Sequence, residues 1–198
     1  MRILVAFEFS GRVRDAFRAH GHDAISCDLL PSDRPGPHYQ DDVLAFLDDG
    51  WDMMIAFPPC TYLCAGGNPW LNRRPDLAWR QNREKALQFV RMLLEAPIER
   101  IALENPIGAI NSKIRKPNQI IRPWMFGDNY GKDICLWLKN LPPLVPTHGE
   151  RDKSLLLLAV PGPHKKLDYW SSERNPEGRS LKSITFSGIA EAMASQWG

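Results

Sequence analysis

The sequence predicts an α/β protein built on a mostly parallel sheet with helices on both faces, and three observations carry that reading. Short apolar runs recur, such as Ile3-Leu4-Val5-Ala6 and Met53-Met54-Ile55-Ala56-Phe57, which lack the polar alternation of a half-exposed strand and fit strands buried on both faces. Segments with helical periodicity lie between them, and strands separated by helices imply parallel pairing. Two runs also end in reactive groups, Cys60 after Phe57-Pro58-Pro59 and Glu104-Asn105 after Arg100-Ile101-Ala102-Leu103. Open α/β sheets bind ligands beyond the carboxyl ends of their strands, so a thiol and a carboxyl at two strand tips predict one active site.

Ile3 to Phe7 reads as the first strand. Arg12 to His20 reads as a helix, because Val13, Ala16 and Phe17 recur at helical spacing and Gly21 stops it. His22 to Cys27 is expected as the second strand, Val43 to Leu47 as a short helical piece and Met53 to Phe57 as the third strand. The longest helix is expected from Asp76, which can cap it, to Leu94, with Leu87, Val90, Leu93 and Leu94 on one stripe. Ile101 to Glu104 is the next strand. Asn105 to Asn129, interrupted by Pro106, Pro117 and Pro123, reads as loop, and Asp133 to Leu138 as a later strand. Leu141-Pro142-Pro143-Leu144-Val145-Pro146 cannot continue a central strand, because proline lacks the ladder donor. Pro161 to Ser183 is polar and weakly patterned, and Ile189, Met193 and Trp197 place a closing helix over Gly188 to Trp197.

A chain of 198 residues with 43% hydrophobic content can bury one sizeable core, so a single catalytic domain over residues 1–198 is expected. A formal net charge of +2 does not by itself indicate a polyanionic partner, so any nucleic-acid affinity must be local. The apolar start is too short for a secretory segment and no later run could span a bilayer, which predicts a cytoplasmic protein. Cys27, Cys60, Cys64 and Cys135 lack a disulfide-like pattern. Cys60 and Cys64 have no second ligand pair beside them, so no metal site is expected.

The first strand runs into Phe7-Glu8-Phe9-Ser10-Gly11, a tight turn before a helix amino terminus, whose backbone donors can meet a ligand carboxylate or phosphate. Asp28, at the expected tip of the second strand, can accept hydrogen bonds from two ribose hydroxyls, and Asp42 is suited to the edge of an adenine. Together they point to a nucleoside-bearing cofactor. The alternative is that Asp28 and Asp42 are solvated loop acids and helix caps.

The order of these motifs resembles the DNA cytosine methyltransferases that act on carbon 5 of the base, and in particular the short methylase-like proteins of bacteriophage and prophage genomes. The resemblance rests on Phe7 to Gly11, Pro58-Pro59-Cys60-Thr61, Glu104-Asn105-Pro106 and the late Leu136-Trp137-Leu138-Lys139, and reaches the tail at Gly188 to Met193. It implies a Rossmann-like fold that binds S-adenosylmethionine, with Phe7, Glu8, Phe9, Ser10, Gly11, Asp28, Asp42 and Pro58 as cofactor-site residues. It further implies Cys60 as nucleophile, Glu104 as proton donor and Asn105 as its orienting neighbour. Lys132 stands in for the family's later Gln-Arg-Arg element. Two departures stand out. Glu8 occupies a place where a small residue is expected in a glycine-richer turn, and Leu141 to Ser183 is too short for a separate target-recognition domain.

The implied chemistry needs these residue types. Cytosine carbon 5 is a poor nucleophile until a thiolate adds to carbon 6, and a carboxyl that protonates ring nitrogen 3 stabilises the adduct. The prolines hold the thiol at a rigid strand exit. For Cys60 the alternative is a small buried hydrophobe. Phosphate contact with DNA is expected from Arg73, Arg74, Arg80 and Arg83, beyond the flexible segment Gly66 to Trp70. Lys113, Arg115, Lys116 and Arg122 form a second cluster, with Trp124 available for stacking. Arginines at helical spacing also form solvated faces, and Arg80 can pair with Glu84. Two alternatives stay open: a free nucleotide or RNA as substrate, and a non-catalytic nucleic-acid-binding or inhibitory protein on a degenerate scaffold.

Overall fold

The computed structural model describes residues 1–65, 77–149 and 184–198. Seven strands form one mixed sheet: β1 (Arg2–Ala6), β2 (Asp23–Asp28), β3 (His38–Gln40), β4 (Met53–Ala56), β5 (Arg100–Asn105), β6 (Gln119–Ile121) and β7 (Ile134–Lys139). Their order is β3-β2-β1-β4-β5-β7-β6. The pairings among β1 to β5 are parallel, whereas β7 runs antiparallel to both β5 and β6. This is the doubly wound order 3-2-1-4-5-6 with one antiparallel strand set between the fifth and sixth.

The apolar runs explain the layering. Ile3, Leu4, Val5 and Ala6 of β1 and Met53 to Ala56 of β4 are fully buried, and their alternate side chains supply two cores. Ile3, Val5, Met53, Ile55 and Ala102 pack with Val13 and Phe17 of α1 (Arg12–Ala19) and with Ile189 and Met193. Those last two belong to the closing helix, Ser187–Trp197. Leu4, Ala6, Met54, Ala56, Ile101 and Leu103 pack on the other side against Leu87, Val90 and Leu93 of α2 (Leu77–Leu94). Ala109 and Ile110 of the short α3 (Ala109–Lys113) join them there. The closing helix is therefore α4, and helices cover both faces.

The strands and long helices match the sequence pattern within a residue or two at their ends. The expected loop from Asn105 to Asn129 does not hold. It contains α3, β6 and a 3-10 turn at Pro123–Phe126. Proline punctuation hid a three-residue strand between Pro117 and Pro123, which the sheet accepts because β6 lies at its edge. β3, equally short and at the opposite edge, was invisible for the same reason. The cap expected at Asp76 and the segment Pro161 to Ser183 lie outside the described residues. Among the described residues, no helix is long and apolar enough to cross a membrane.

Candidate active site

β1 and β4 are neighbours whose following segments leave in opposite directions along the sheet, which makes their carboxyl ends the switch point where such folds bind ligands. A cavity lies there. Phe7 follows β1, Phe57, Pro58, Pro59 and Cys60 follow β4, Glu104 and Asn105 end β5, and all line it together with Lys132 and Ile134. Lys132 reaches this edge because β7 is antiparallel: Asn105 pairs with Cys135, so the start of β7 stands beside the end of β5. Ile184, Thr185 and Phe186, with Ile189 and Met193 of α4, complete the wall. The cavity volume is about 120 Å³, below the ~300–1,000 Å³ of pockets that enclose drug-sized ligands, so it suits one small ring.

The thiol loop is fixed by backbone bonds. The Cys60 carbonyl accepts from the amides of Leu63 and Cys64, both at 2.9 Å. Ala109 N donates to Leu63 O at 2.6 Å and Ala65 N to Ile107 O at 2.9 Å, tying this loop to the one after β5. A side chain at Gly108 would strike the Leu63 carbonyl, so only glycine permits that approach. Asn105, almost fully buried, donates from Nδ2 to Pro58 O at 2.8 Å. The amide expected to orient Glu104 therefore braces the strand exit that carries the thiol.

Three buried polar atoms among the described residues lack a hydrogen-bond partner, Trp79 Nε1, Asn105 Oδ1 and Glu104 Oε1, and Glu104 is the titratable one. Its Oε1 is shut off from solvent and has no hydrogen-bond partner among the described residues, although part of the side chain keeps exposure toward the cavity. Burial raises its pKa above the ordinary 4.5, opposed by the Lys132 ammonium. Such a carboxyl keeps its proton to higher pH and can donate it. Cys60 is exposed at the cavity. Desolvation on its protein side raises the thiol pKa, the nearby Cys64 and Glu104 raise it further, and Lys132 pulls it down. The resting thiol is thus protonated, and Lys132 is the charge that favours its thiolate.

The residues expected to hold the cofactor divide. Phe7 and Pro58 line the cavity. Glu8 does not face a ligand: it is 4% exposed, and its Oε1 accepts from Ser10 Oγ at 2.8 Å and Val13 N at 2.9 Å. Its Oε2 accepts from Arg14 N at 3.4 Å. Arg12 N donates to Ser10 Oγ and Asp15 N to Gly11 O, so the amides of the first turn of α1 are all used internally. Phe9 and Gly11 are buried. Asp28 Oδ1 accepts from Leu30 N at 2.9 Å, and Asp42 caps the 3-10 turn Val43–Phe46 through Leu44 N. For Asp42 the capping alternative describes its contact. The carboxylate of S-adenosylmethionine therefore does not fit at the α1 terminus, where the expected donors are occupied.

Among the cations, Arg80, Arg83 and Lys113 line one groove between α2 and α3. Arg115 is exposed and donates to Asn118 Oδ1 at 2.6 Å and Leu138 O at 3.1 Å. Lys116 is exposed, Arg122 pairs with Asp133 at 2.6 Å, and Trp124 is half-buried. Glu84 pairs with Arg91 at 3.6 Å, where the sequence had suggested Arg80. Arg73 and Arg74 lie outside the described residues, as does Gly66 to Trp70.

Sequence reasoning missed the Ile184–Phe186 wall, whose only signal was its position before the α4 stripe. It also missed Arg14, fully buried on α1. That guanidinium donates to Ser26 Oγ, Ser32 Oγ and Pro35 O and pairs with Asp15 at 2.8 Å, fastening the loop after β2 to the helix. Comparison with known protein families finds no matching family, and comparison with curated proteins finds no match.

Proposed function

We propose that this protein methylates carbon 5 of a pyrimidine, cytosine in DNA, through a covalent adduct on Cys60. One observation carries the reading: Cys60, Glu104, Asn105 and Lys132 line a single cavity of one-ring size at the switch point of the sheet. With a pyrimidine in that cavity, the Cys60 thiolate adds to ring carbon 6 and Glu104 supplies a proton at ring nitrogen 3, which its raised pKa equips it to do. Once carbon 5 is methylated, a base takes its proton, the thiolate leaves carbon 6 and nitrogen 3 returns its proton to Glu104. Lys132 favours the thiolate before addition, and Asn105 keeps the Pro58–Cys60 exit in place. A base within duplex DNA must leave the stack to reach this cavity. Arg80, Arg83 and Lys113 are the described cations that meet its phosphates. S-adenosylmethionine is the proposed methyl source, its adenosine end at the β2 tip near Asp28. The reading takes the finer identity of the fold to be that of a methyltransferase.

The occupied α1 terminus favours a second reading, a nucleic-acid-binding protein on a scaffold without cofactor affinity. Titration with S-adenosylmethionine separates the two, because the scaffold gives no saturable heat. Release of tritium from carbon 5 of labelled cytosine in DNA tests the reaction itself. Release that depends on Cys60 and exceeds that from the free nucleotide supports it, and no release from either substrate by folded protein refutes it.

A further inference from the structure

The turn between β1 and α1 folds back on itself. Phe7 takes a left-handed backbone with φ 61° and Gly11 one with φ 70°. The amides of Phe7 and Glu8 both donate to Cys27 O, at 2.7 and 3.2 Å, which anchors the turn to β2. Phe7 thereby points into the Cys60 cavity while Glu8 points beneath the helix. Three donors, Ser10 Oγ, Val13 N and Arg14 N, then converge on one buried carboxyl. Only glycine fits the turn at Gly11, because a Cβ there would lie 2.5 Å from the fully buried Arg14 guanidinium.

A helix amino terminus offers free amides and a positive dipole end, the usual reason an anion settles there. Here a side chain of the same chain already takes both. We infer that Glu8 is a specificity-determining residue, occupying the anion position at the start of α1 so that this helix start excludes ligands presenting a carboxylate or phosphate to it. This goes beyond the proposed reaction and does not depend on it. A ligand that reaches the turn from the β1 tip must meet it with neutral or cationic atoms.

The test follows the Val13 and Arg14 amides by nuclear magnetic resonance during titration with inorganic phosphate. The wild type is expected to show no saturable shift at either amide. Glu8→Ala is expected to show saturable shifts with affinity at least about tenfold above any wild-type binding, the factor that one exposed charge-assisted bond supplies. Glu8→Gln, which keeps an acceptor in place while removing the charge, is expected to stay as unresponsive as the wild type. Saturable shifts in the wild type overturn the inference, and the wild-type titration decides even if Glu8→Ala fails to fold. So does phosphate binding by the Gln variant as tight as that of the Ala variant. A second arm compares S-adenosylmethionine with its decarboxylated analogue on the wild type. Affinities within about threefold support the inference, and a loss of about tenfold or more on decarboxylation, with the two amides shifting, overturns it. Failure of both compounds to bind refutes the proposed cofactor, while the phosphate titration still decides the role of Glu8.

Discussion

Glu8 and Glu104 are two carboxyls at strand tips on either side of β4, one buried and one partly so, and the contrast between them separates structure from chemistry. Glu8 has three donors around it and the Arg14 guanidinium close by. Glu104 has an oxygen with no partner among the described residues and only the Lys132 charge to oppose its desolvation. Burial raises both pKa values; at Glu8 three donors and Arg14 oppose that rise, whereas at Glu104 only Lys132 opposes it and Oε1 has no hydrogen-bond partner among the described residues. A native fold that leaves a buried acceptor unsatisfied accepts a cost of about 1–3 kcal/mol, and such costs collect at functional sites. The satisfied carboxyl builds the turn, and the unsatisfied one is the group the proposed reaction uses.

The largest expected effect is on Glu104. Glu104→Gln should lower the rate of tritium release by roughly 10²–10⁴-fold, the usual worth of a positioned acid, while the melting temperature at pH 8 stays level or rises. The sign follows from linkage. A carboxyl with a raised folded pKa binds its proton more tightly in the fold, so its contribution to stability declines as pH climbs from the ordinary 4.5 through the folded value. The wild type should therefore lose stability across that window relative to the Gln variant, measured by melting at a series of pH values. A variant that melts earlier than the wild type at pH 8 would assign Glu104 to the scaffold.

Glu8→Ala should do the reverse. It strands two helix amides and a hydroxyl, so unfolding in denaturant should report a loss of about 2 kcal/mol, with the alkylation rate of Cys60 in the folded protein unchanged. If Cys60 reactivity collapses instead, the two carboxyls are not separable. Asn105→Ala removes the bond to Pro58 O and should cost about 1 kcal/mol. Since the thiol then wanders, kcat should fall more than KM rises, which steady-state kinetics on a DNA substrate can read. The smallest effect is electrostatic. Lys132 lowers the pKa of both Cys60 and Glu104, so Lys132→Met should move the pH profile of Cys60 alkylation toward higher pH without changing the fold. An unmoved profile would place the ammonium outside the site.

Much of this arrangement could be read from the chain because long apolar runs and strand-end motifs are local signals. β1, β4 and β5 are visible in the sequence as buried strands, and the segments that end them carry Cys60 and Glu104. What escaped was set by tertiary context. β3 and β6 are three residues each, too short for a period to register. Glu8 is read from sequence as part of a ligand-binding turn, since nothing local says that its carboxyl folds beneath the helix. Arg14 draws no notice in the sequence, because only the loop after β2 that packs over it reveals its burial. Asn105 was assigned to its sequence neighbour, whereas its amide serves the adjacent strand, and only the β4–β5 pairing reveals that.

The central claim is that Cys60 and Glu104 act on one base in one cavity. An oligonucleotide carrying 5-fluorocytosine, incubated with the protein and S-adenosylmethionine, blocks removal of the carbon 5 substituent and leaves any adduct in place, where intact-mass analysis detects it. The account predicts a one-to-one adduct that peptide mapping assigns to Cys60 and that Glu104→Gln forms far more slowly. Folded protein that forms no adduct, or one that maps to Cys64, would contradict it.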